Sequence, residues 1–545
     1  MSADLLQRAI NHHQAGELQQ AAELYQQILA SQPEHADANH LLGLIAHQCG
    51  NHEAAMQLVS KAATINPSNH IYLCNLGIIK IALQQWDDAI TLLQGAIRLN
   101  PEDVKAHINL GVALEQKERI NEAVNSYEHA LSITPDDTEI LIKLGNAYAR
   151  LKRIEHAAAT LQKALQLNPE SVETLNSLGI IYKDLGQLDE AICYYRRAMN
   201  IAPERVEVLC NLASALTSAA ELEEAERICK QALSIKPAYA EAYQQLTDNL
   251  HYQQRTSDWR TTLDSALKKA DLSADTRNHM YISKAIIAWI DGDLEQCSNA
   301  LKKAEAILAQ PVTDKATYSA LGYYKFLQAL VAYRQQHPSL YEQSCESKIQ
   351  IIGDSHCLSY ANTSLMLDEK PHRVIPHLIM GCKAWHLSQD GANVCKTSLQ
   401  HVLQKFNDGD KVIIAFGEID CRPDEGIFPA HKKLGNDLVE ATQSLADAFV
   451  QSILDISRAK DLQLIFYGIP APNCSLEHLS ESDRQVYLNS VKLFNAALSR
   501  AAAQADCRFL DTYQETVSEA GTGNKRFHID AFHLAPHFLG HLAGQ

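Results

Sequence analysis

The sequence predicts a multidomain chain in which an all-α solenoid of helical repeats is followed by an α/β domain built in three layers around a parallel sheet. Prolines recur at Pro33, Pro67, Pro101, Pro135, Pro169, Pro203 and Pro237, each 34 residues after the last. After Glu346 continuous helical patterning gives way to short apolar runs that alternate with long amphipathic stretches. The 545 residues also exceed what a single hydrophobic core organises, so two or three domains are expected.

Hydrophobic residues make up 46% of the chain and charged residues 21%, the composition of a soluble globular protein. The net charge of −17 is spread along the sequence without a Lys/Arg cluster, which argues against nucleic acid as a partner. The first residues, MSADLLQRAINHHQAGELQQ, are polar and amphipathic, without a basic stretch leading into an apolar core. No apolar run approaches the ~18 residues of a membrane span. The 13 cysteines are scattered, odd in number and form no paired C-x-x-C sites, as expected of small core residues in a reducing compartment. A cytoplasmic location is expected.

The first 247 residues carry the repeats. Alanines keep the proline phase at Ala21, Ala55, Ala89, Ala123, Ala157, Ala191 and Ala225, and glycines at Gly43, Gly77, Gly111, Gly145 and Gly179, with Ala213 next in that series. Two antiparallel helices per repeat explain the pattern, the small residues allowing close helix approach and the proline ending the second helix. Stretches such as NLGVALEQKERINEAVNSYEHALSITP (Asn109 to Pro135) resemble the tetratricopeptide (TPR) consensus. That resemblance covers residues 2–247, seven repeats and a partial eighth, and implies a superhelix whose groove binds a protein or peptide segment.

Asn75, Asn109 and Asn211 share one repeat position, which TPR geometry would turn toward the groove, where carboxamides can bond an extended peptide backbone. Leu41, Lys143 and Ser177 interrupt the series, and a solvated polar face explains the same residues. From 248 to 345 the period decays while helical patterning continues, as in GDLEQCSNALKKAEAILAQP (Gly292 to Pro311). This segment is expected to cap the solenoid and link it to the next domain.

Residues 347–545 read as strand and helix in alternation. Apolar runs fall at Ile349–Ile352, Val374–Met380, Lys411–Phe416, Leu462–Tyr467 and Arg508–Leu510, with long helical stretches at Leu434–Ala459 and Ser482–Ala503. Such a sheet carries its chemistry at the carboxyl ends of its strands. There the first run leads into Gly353-Asp354-Ser355-His356, the third ends in FGEIDCR (Phe416 to Arg422), and the last segment reads HIDAFHLAP (His528 to Pro536).

Gly-Asp-Ser after the first strand and Asp-x-x-His near the C-terminus resemble the SGNH/GDSL hydrolases. The resemblance implies a parallel, flavodoxin-like sheet, with Ser355 as nucleophile, His533 as general base and Asp530 orienting the imidazole. A serine hydroxyl is a poor nucleophile until a neighbouring base takes its proton, and that base needs a fixed tautomer. Gly381 and the Ser355 amide would form the oxyanion hole, aided by a helix N-terminus under Ser355. Where the family carries an oxyanion-hole Asn, this chain has Ile419, and losing one such donor costs about two to three orders of magnitude in rate. Arg422 and Asn473 are candidates to replace it. Asp354, His356, Glu418 and Asp420 complete the set of possible substrate-binding residues, although Glu418 and Asp420 also fit a loop-capping pair. His528, Asp530, His533 and His537 could be read as metal ligands, but the esterase pattern explains the run and no second ligand cluster exists. No metal or cofactor is expected.

These features lead to an expected serine esterase, deacylase or O-acyltransferase acting on an O-acyl group of a carbohydrate or modified protein, addressed by its repeats. The alternative is an inactive scaffold that binds an acylated or glycosylated ligand.

Overall fold

The computed structural model describes residues 2–308, 315–417, 420, 426–435, 437–473, 476–519, 521–524, 526–530 and 533–543. The chain forms two compact units, Met1–Pro203 and Glu204–Gln545.

The first unit consists of helical hairpins with the sequence period. Helices Leu18–Ser31, His52–Ile65, Trp86–Leu99, Ile120–Ile133 and Ile154–Leu167 each end two residues before a periodic proline, whose ring could not continue the helix. The following helices start on short polar caps, for example Asp103 accepting from the Ala106 amide and Asp137 from that of Ile140. The periodic glycines mark where one helix of a hairpin meets a large side chain of the other. A Cβ on Gly111 would lie 2.4 Å from the Tyr127 ring, and one on Gly145 2.6 Å from Leu161. In the repeat where Ala213 takes the glycine position, the facing position holds Cys229 instead of a large residue, and both are fully buried. The two substitutions compensate in volume.

The second unit begins with hairpins of the same kind, Val206–Ser218 with Leu222–Ile235 and Ala240–Tyr252 with Thr256–Lys269. Helices Ala274–Ile290, Leu294–Leu308 and Lys315–Gln336 follow, then a six-stranded sheet. Its strands are β1 (Ser347–Gly353), β2 (Ser364–Leu367), β3 (Lys370–Leu378), β4 (Lys411–Ala415), β5 (Gln463–Tyr467) and β6 (Arg508–Leu510), in the order β2-β3-β1-β4-β5-β6. β1 pairs parallel with β3 and β4, β4 with β5, and β5 with β6, while β2 runs antiparallel to β3.

The sheet is therefore mixed rather than wholly parallel. The added strand arises from a two-residue hairpin turn in which Asp368 (φ 51°) and Glu369 (φ 61°) both adopt left-handed backbone. An Asp-Glu pair lacks the glycine that ordinarily signals such a turn, so this strand escapes a reading of the sequence.

Alternate residues of each strand feed two apolar cores. Ile352, Val412, Ile414 and Phe466 pack with helices Val394–Leu403, Leu438–Ser457 and Glu481–Gln504. On the opposite side Ile349, Ile351, Ile413 and Ile465 share a core with Trp289, Leu301, Phe326, Leu330 and Phe538. That second layer is supplied largely by residues 282–330, the segment expected to serve as cap and linker. Its apolar faces are occupied by the sheet, which explains why the repeat period decays there.

Candidate active site

Ser355 follows β1 directly. A Cβ on Gly353 would come within 2.4 Å of the Ala415 carbonyl oxygen, so glycine is needed where β1 and β4 approach most closely before the chain turns. Asp354 secures the turn, its Oδ1 accepting from the His356 amide at 3.0 Å and contacting His356 Nδ1 at 3.1 Å. Asp354 and His356 are almost fully buried and so support the serine from behind. The helix after Ser355, His356–Ser359, is a single turn. The expected helix-dipole aid to an oxyanion is therefore small, because few peptide dipoles align behind the serine.

His533 Nε2 lies 2.8 Å from Ser355 Oγ, and His533 Nδ1 lies 2.8 Å from Asp530 Oδ2 and 3.0 Å from Oδ1. A carboxylate only accepts, so Nδ1 carries the proton and Nε2 is left to accept from the Ser355 hydroxyl. Asp530 also accepts from the His533 amide at 2.7 Å, a further bond between the two residues. Asn473 Nδ2 donates to the Asp530 carbonyl at 3.2 Å. The structure thus places Asn473 as a brace of Asp530. Chemically, the arrangement can draw a proton from Ser355 and stabilise the resulting imidazolium.

Gly381 follows β3 at φ +69°, a left-handed conformation that suits glycine, and no atom lies within 4 Å of where its Cβ would stand. Neither its N–H nor that of Ser355 has a backbone acceptor among the described residues. Asp420 is 1% exposed and accepts from the Ala384 and Trp385 amides at 2.7 and 3.1 Å. Its carboxylate therefore caps helix Ala384–Ser388, as the loop-capping reading has it. Burial raises its pKa to about 6 against the opposing pull of the two amides. A cavity of about 430 Å³ adjoins this turn, lined by Lys383, Trp385, His386, Asp420, Ile427 and His431 among others. Glu418, Ile419, Cys421 and Arg422 lie outside the described residues.

The histidines of the C-terminal run diverge. His528 Nε2 donates to the Ala471 carbonyl at 3.1 Å, and His537 Nδ1 meets Tyr333 Oη at 2.6 Å. Among the described residues no group of three His, Cys, Asp or Glu side chains is placed to hold a metal ion.

Three contacts at the site come from helices that the sequence motifs do not mark. Trp289 Nε1 donates to the Leu358 carbonyl at 2.8 Å, just beyond the Ser355 turn. His251 Nε2 accepts from the Met380 amide at 3.2 Å, next to Gly381, and burial lowers its pKa to about 4. The Phe326 ring stacks on that of His533, centroids 3.7 Å apart and planes 15° from parallel. Periodicity could not indicate these residues, since their partners lie elsewhere in the chain.

Asn75 Nδ2 lies 2.8 Å from His40 Nε2, and Asn109 Nδ2 donates to the Lys105 carbonyl of its own helix at 2.8 Å. Both are in the first unit, whereas Asn211 is in the second.

The fold and site define a protein of tetratricopeptide repeats with a mixed-sheet α/β domain that holds a Ser–His–Asp constellation. The family model for the cilia and flagella-associated protein 70 C-terminal domain matches residues 2–200, and a tetratricopeptide repeat model matches residues 182–250. No curated protein matches the chain. Similar solved structures include a tetratricopeptide repeat protein from Parabacteroides merdae, 20% identical, covering 47% of this chain and 98% of its own, with TM-score 0.40. YrrB, described as a TPR protein with an unusual peptide-binding site, is 22% identical and covers 34% of this chain and 95% of its own, with TM-score 0.29. MamA from Desulfovibrio magneticus is 20% identical over 31% of this chain and 96% of its own, with TM-score 0.30. No helix among the described residues is long and apolar enough to cross a membrane.

Proposed function

We propose that the chain is a repeat-addressed serine esterase, deacylase or O-acyltransferase of the SGNH/GDSL type, working in the cytoplasm on an O-acyl group of a carbohydrate or modified protein. The observation that carries this reading is the 2.8 Å contact between Ser355 Oγ and His533 Nε2, with Asp530 on the far nitrogen. The flavodoxin-type order of the five parallel strands, β3-β1-β4-β5-β6, with Ser355 at the carboxyl end of β1, supports it.

Ser355 Oγ attacks the acyl carbon while its proton passes to His533 Nε2, and Asp530 stabilises the imidazolium. The N–H groups of Ser355 and Gly381 receive the charge on the former carbonyl oxygen. Collapse expels the alkoxide, which takes the proton from His533, and leaves an acyl-serine. Water or an acceptor hydroxyl, deprotonated by the same imidazole, then attacks the acyl carbon; the bond to Ser355 Oγ breaks, and Oγ takes back the proton from His533. The repeat groove holds a protein or peptide segment and raises the local concentration of an attached substrate.

A second reading, a scaffold that binds such a ligand without turnover, draws on Ile419 at the oxyanion-hole Asn position and on the capping role of Asp420. Hydrolysis of short p-nitrophenyl esters and labelling by a fluorophosphonate separate the two. The enzyme reading expects turnover and labelling by the wild type, and loss of turnover in Ser355→Ala and His533→Ala. A folded wild type that does neither favours the scaffold.

A further inference from the structure

The two nitrogens of His533 face Asp530 and Ser355, and these in-plane hydrogen bonds define where the ring points. They leave one freedom soft, the rocking of the ring about the line joining the nitrogens. His533 also belongs to irregular chain with no helix or strand to stiffen it. A flat surface against the ring face removes that freedom, and Phe326 supplies one. Its ring is 1% exposed and lies nearly parallel to the imidazole at 3.7 Å between centroids. On His356 the imidazole has a second neighbour, at 4.8 Å and tilted 36°.

The helix that carries Phe326, Lys315–Gln336, holds the same stretch of chain again two turns later, on the same helix face. Tyr333 Oη bonds His537 Nδ1 at 2.6 Å, and the two rings are nearly parallel, 10° apart. Phe326 and Leu330 are buried in the core beneath the sheet, so the helix is anchored where it meets the base.

We propose that Phe326 is a positioning residue for His533, and that helix Lys315–Gln336 is through it a working part of the reacting site. The inference rests on the reading of Ser355 and His533 as nucleophile and base. Phe326 touches no reacting atom and acts by keeping Nε2 aimed at Ser355 Oγ, where small misplacement of a base is costly in rate.

The test uses the full chain, p-nitrophenyl acetate turnover and the rate of fluorophosphonate labelling. Phe326→Leu keeps an apolar side chain and removes the flat face; kcat and the labelling rate are expected to fall about tenfold with KM within about twofold of wild type. Phe326→Tyr restores the ring and is expected to return both rates to within about twofold of wild type. Equal rates in wild type and Phe326→Leu overturn the inference, as does a rise in KM at constant kcat. A tyrosine variant as slow as the leucine one also overturns it, since the ring face is then not the cause. If Phe326→Leu does not fold, Phe326→Met decides the matter: it too removes the flat face against His533, and a kcat equal to that of wild type overturns the inference. A wild type that neither labels nor turns over removes the enzyme reading and this inference with it, whereas a labelled wild type isolates the failure to Phe326.

Discussion

The repeats of the first unit and the helices of the second are built from similar hairpins, yet they use their surfaces differently. In residues 2–203 a hairpin packs on itself through pairs such as Gly111 with Tyr127, and a like contact returns at Gly43, Gly77, Gly145 and Gly179. In the second unit Ile282, Trp289, Phe326 and Leu330 share a core with the sheet, so side chains of these helices meet residues far away in sequence. The turn positions make the contrast concrete. Gly16, Gly50, Gln84, Glu118, Lys152, Gly186, Ala220 and Gln254 share one phase and all have positive φ. Within the second unit Gln254 reaches the sheet, donating to the Leu378 carbonyl at 3.1 Å. A periodic sequence thus describes contacts between neighbours well, and it loses its period where a helix takes a distant partner.

Four substitutions sharpen or break this comparison. Trp289→Ala should act most strongly, removing a fully buried ring and the bond to Leu358. A loss of about 3 to 5 kcal/mol is expected in urea denaturation, accompanied by slower labelling of Ser355. A small loss would mean that the helices only rest on the sheet.

His251 tests the same interface by pH. The unfolded imidazole protonates near 6.5, whereas the buried one resists until about 4, so the native state favours the neutral form. Its contribution is complete above pH 6.5 and is lost as pH falls from there toward 4. Between pH 7 and 4.5 the wild type should lose about 2 to 3 kcal/mol more than His251→Gln, which retains an acceptor for the Met380 amide. Parallel pH curves for the two proteins would remove His251 from the interface argument.

Gly111→Ala belongs to the first unit. The added methyl meets the Tyr127 ring and should cost about 1 to 3 kcal/mol in thermal unfolding while leaving ester turnover of the folded chain unchanged. A drop in kcat would show that the repeats and the site are less separate than the comparison holds. The smallest effect is expected of Lys152→Gly, where φ is 58° and glycine relieves left-handed strain. A gain of about 1 kcal/mol, read as a rise in Tm, is expected. No gain would mean that the longer side chain compensates by its own contacts.

Much of the architecture was legible from local pattern. The 34-residue period located the hairpins because each one packs on its neighbour, and the runs at Ile349, Val374, Lys411, Leu462 and Arg508 located five strands because buried parallel strands are continuously apolar. β2 was not legible, since its turn is made by Asp368 and Glu369 in a conformation that glycine usually signals. Ser355, Asp530 and His533 were named from short motifs, and the structure brings those three together. Gly381 stands after β3 with its N–H lacking a backbone acceptor among the described residues, while Asp420 and Asn473 bond to the protein's own backbone.

By itself, the sequence determined what depends on near neighbours: the helical period, the glycine and proline positions, the strand runs and the residue types of the Ser355 and Asp530–His533 motifs. Tertiary structure alone decided which helices cover the sheet, that Phe326 lies against His533, and that His251 and Trp289 hold the turns beside Gly381 and Ser355. The physical reason is that these contacts join segments tens to hundreds of residues apart. Burial of shared apolar surface selects them, and burial has no period along the chain.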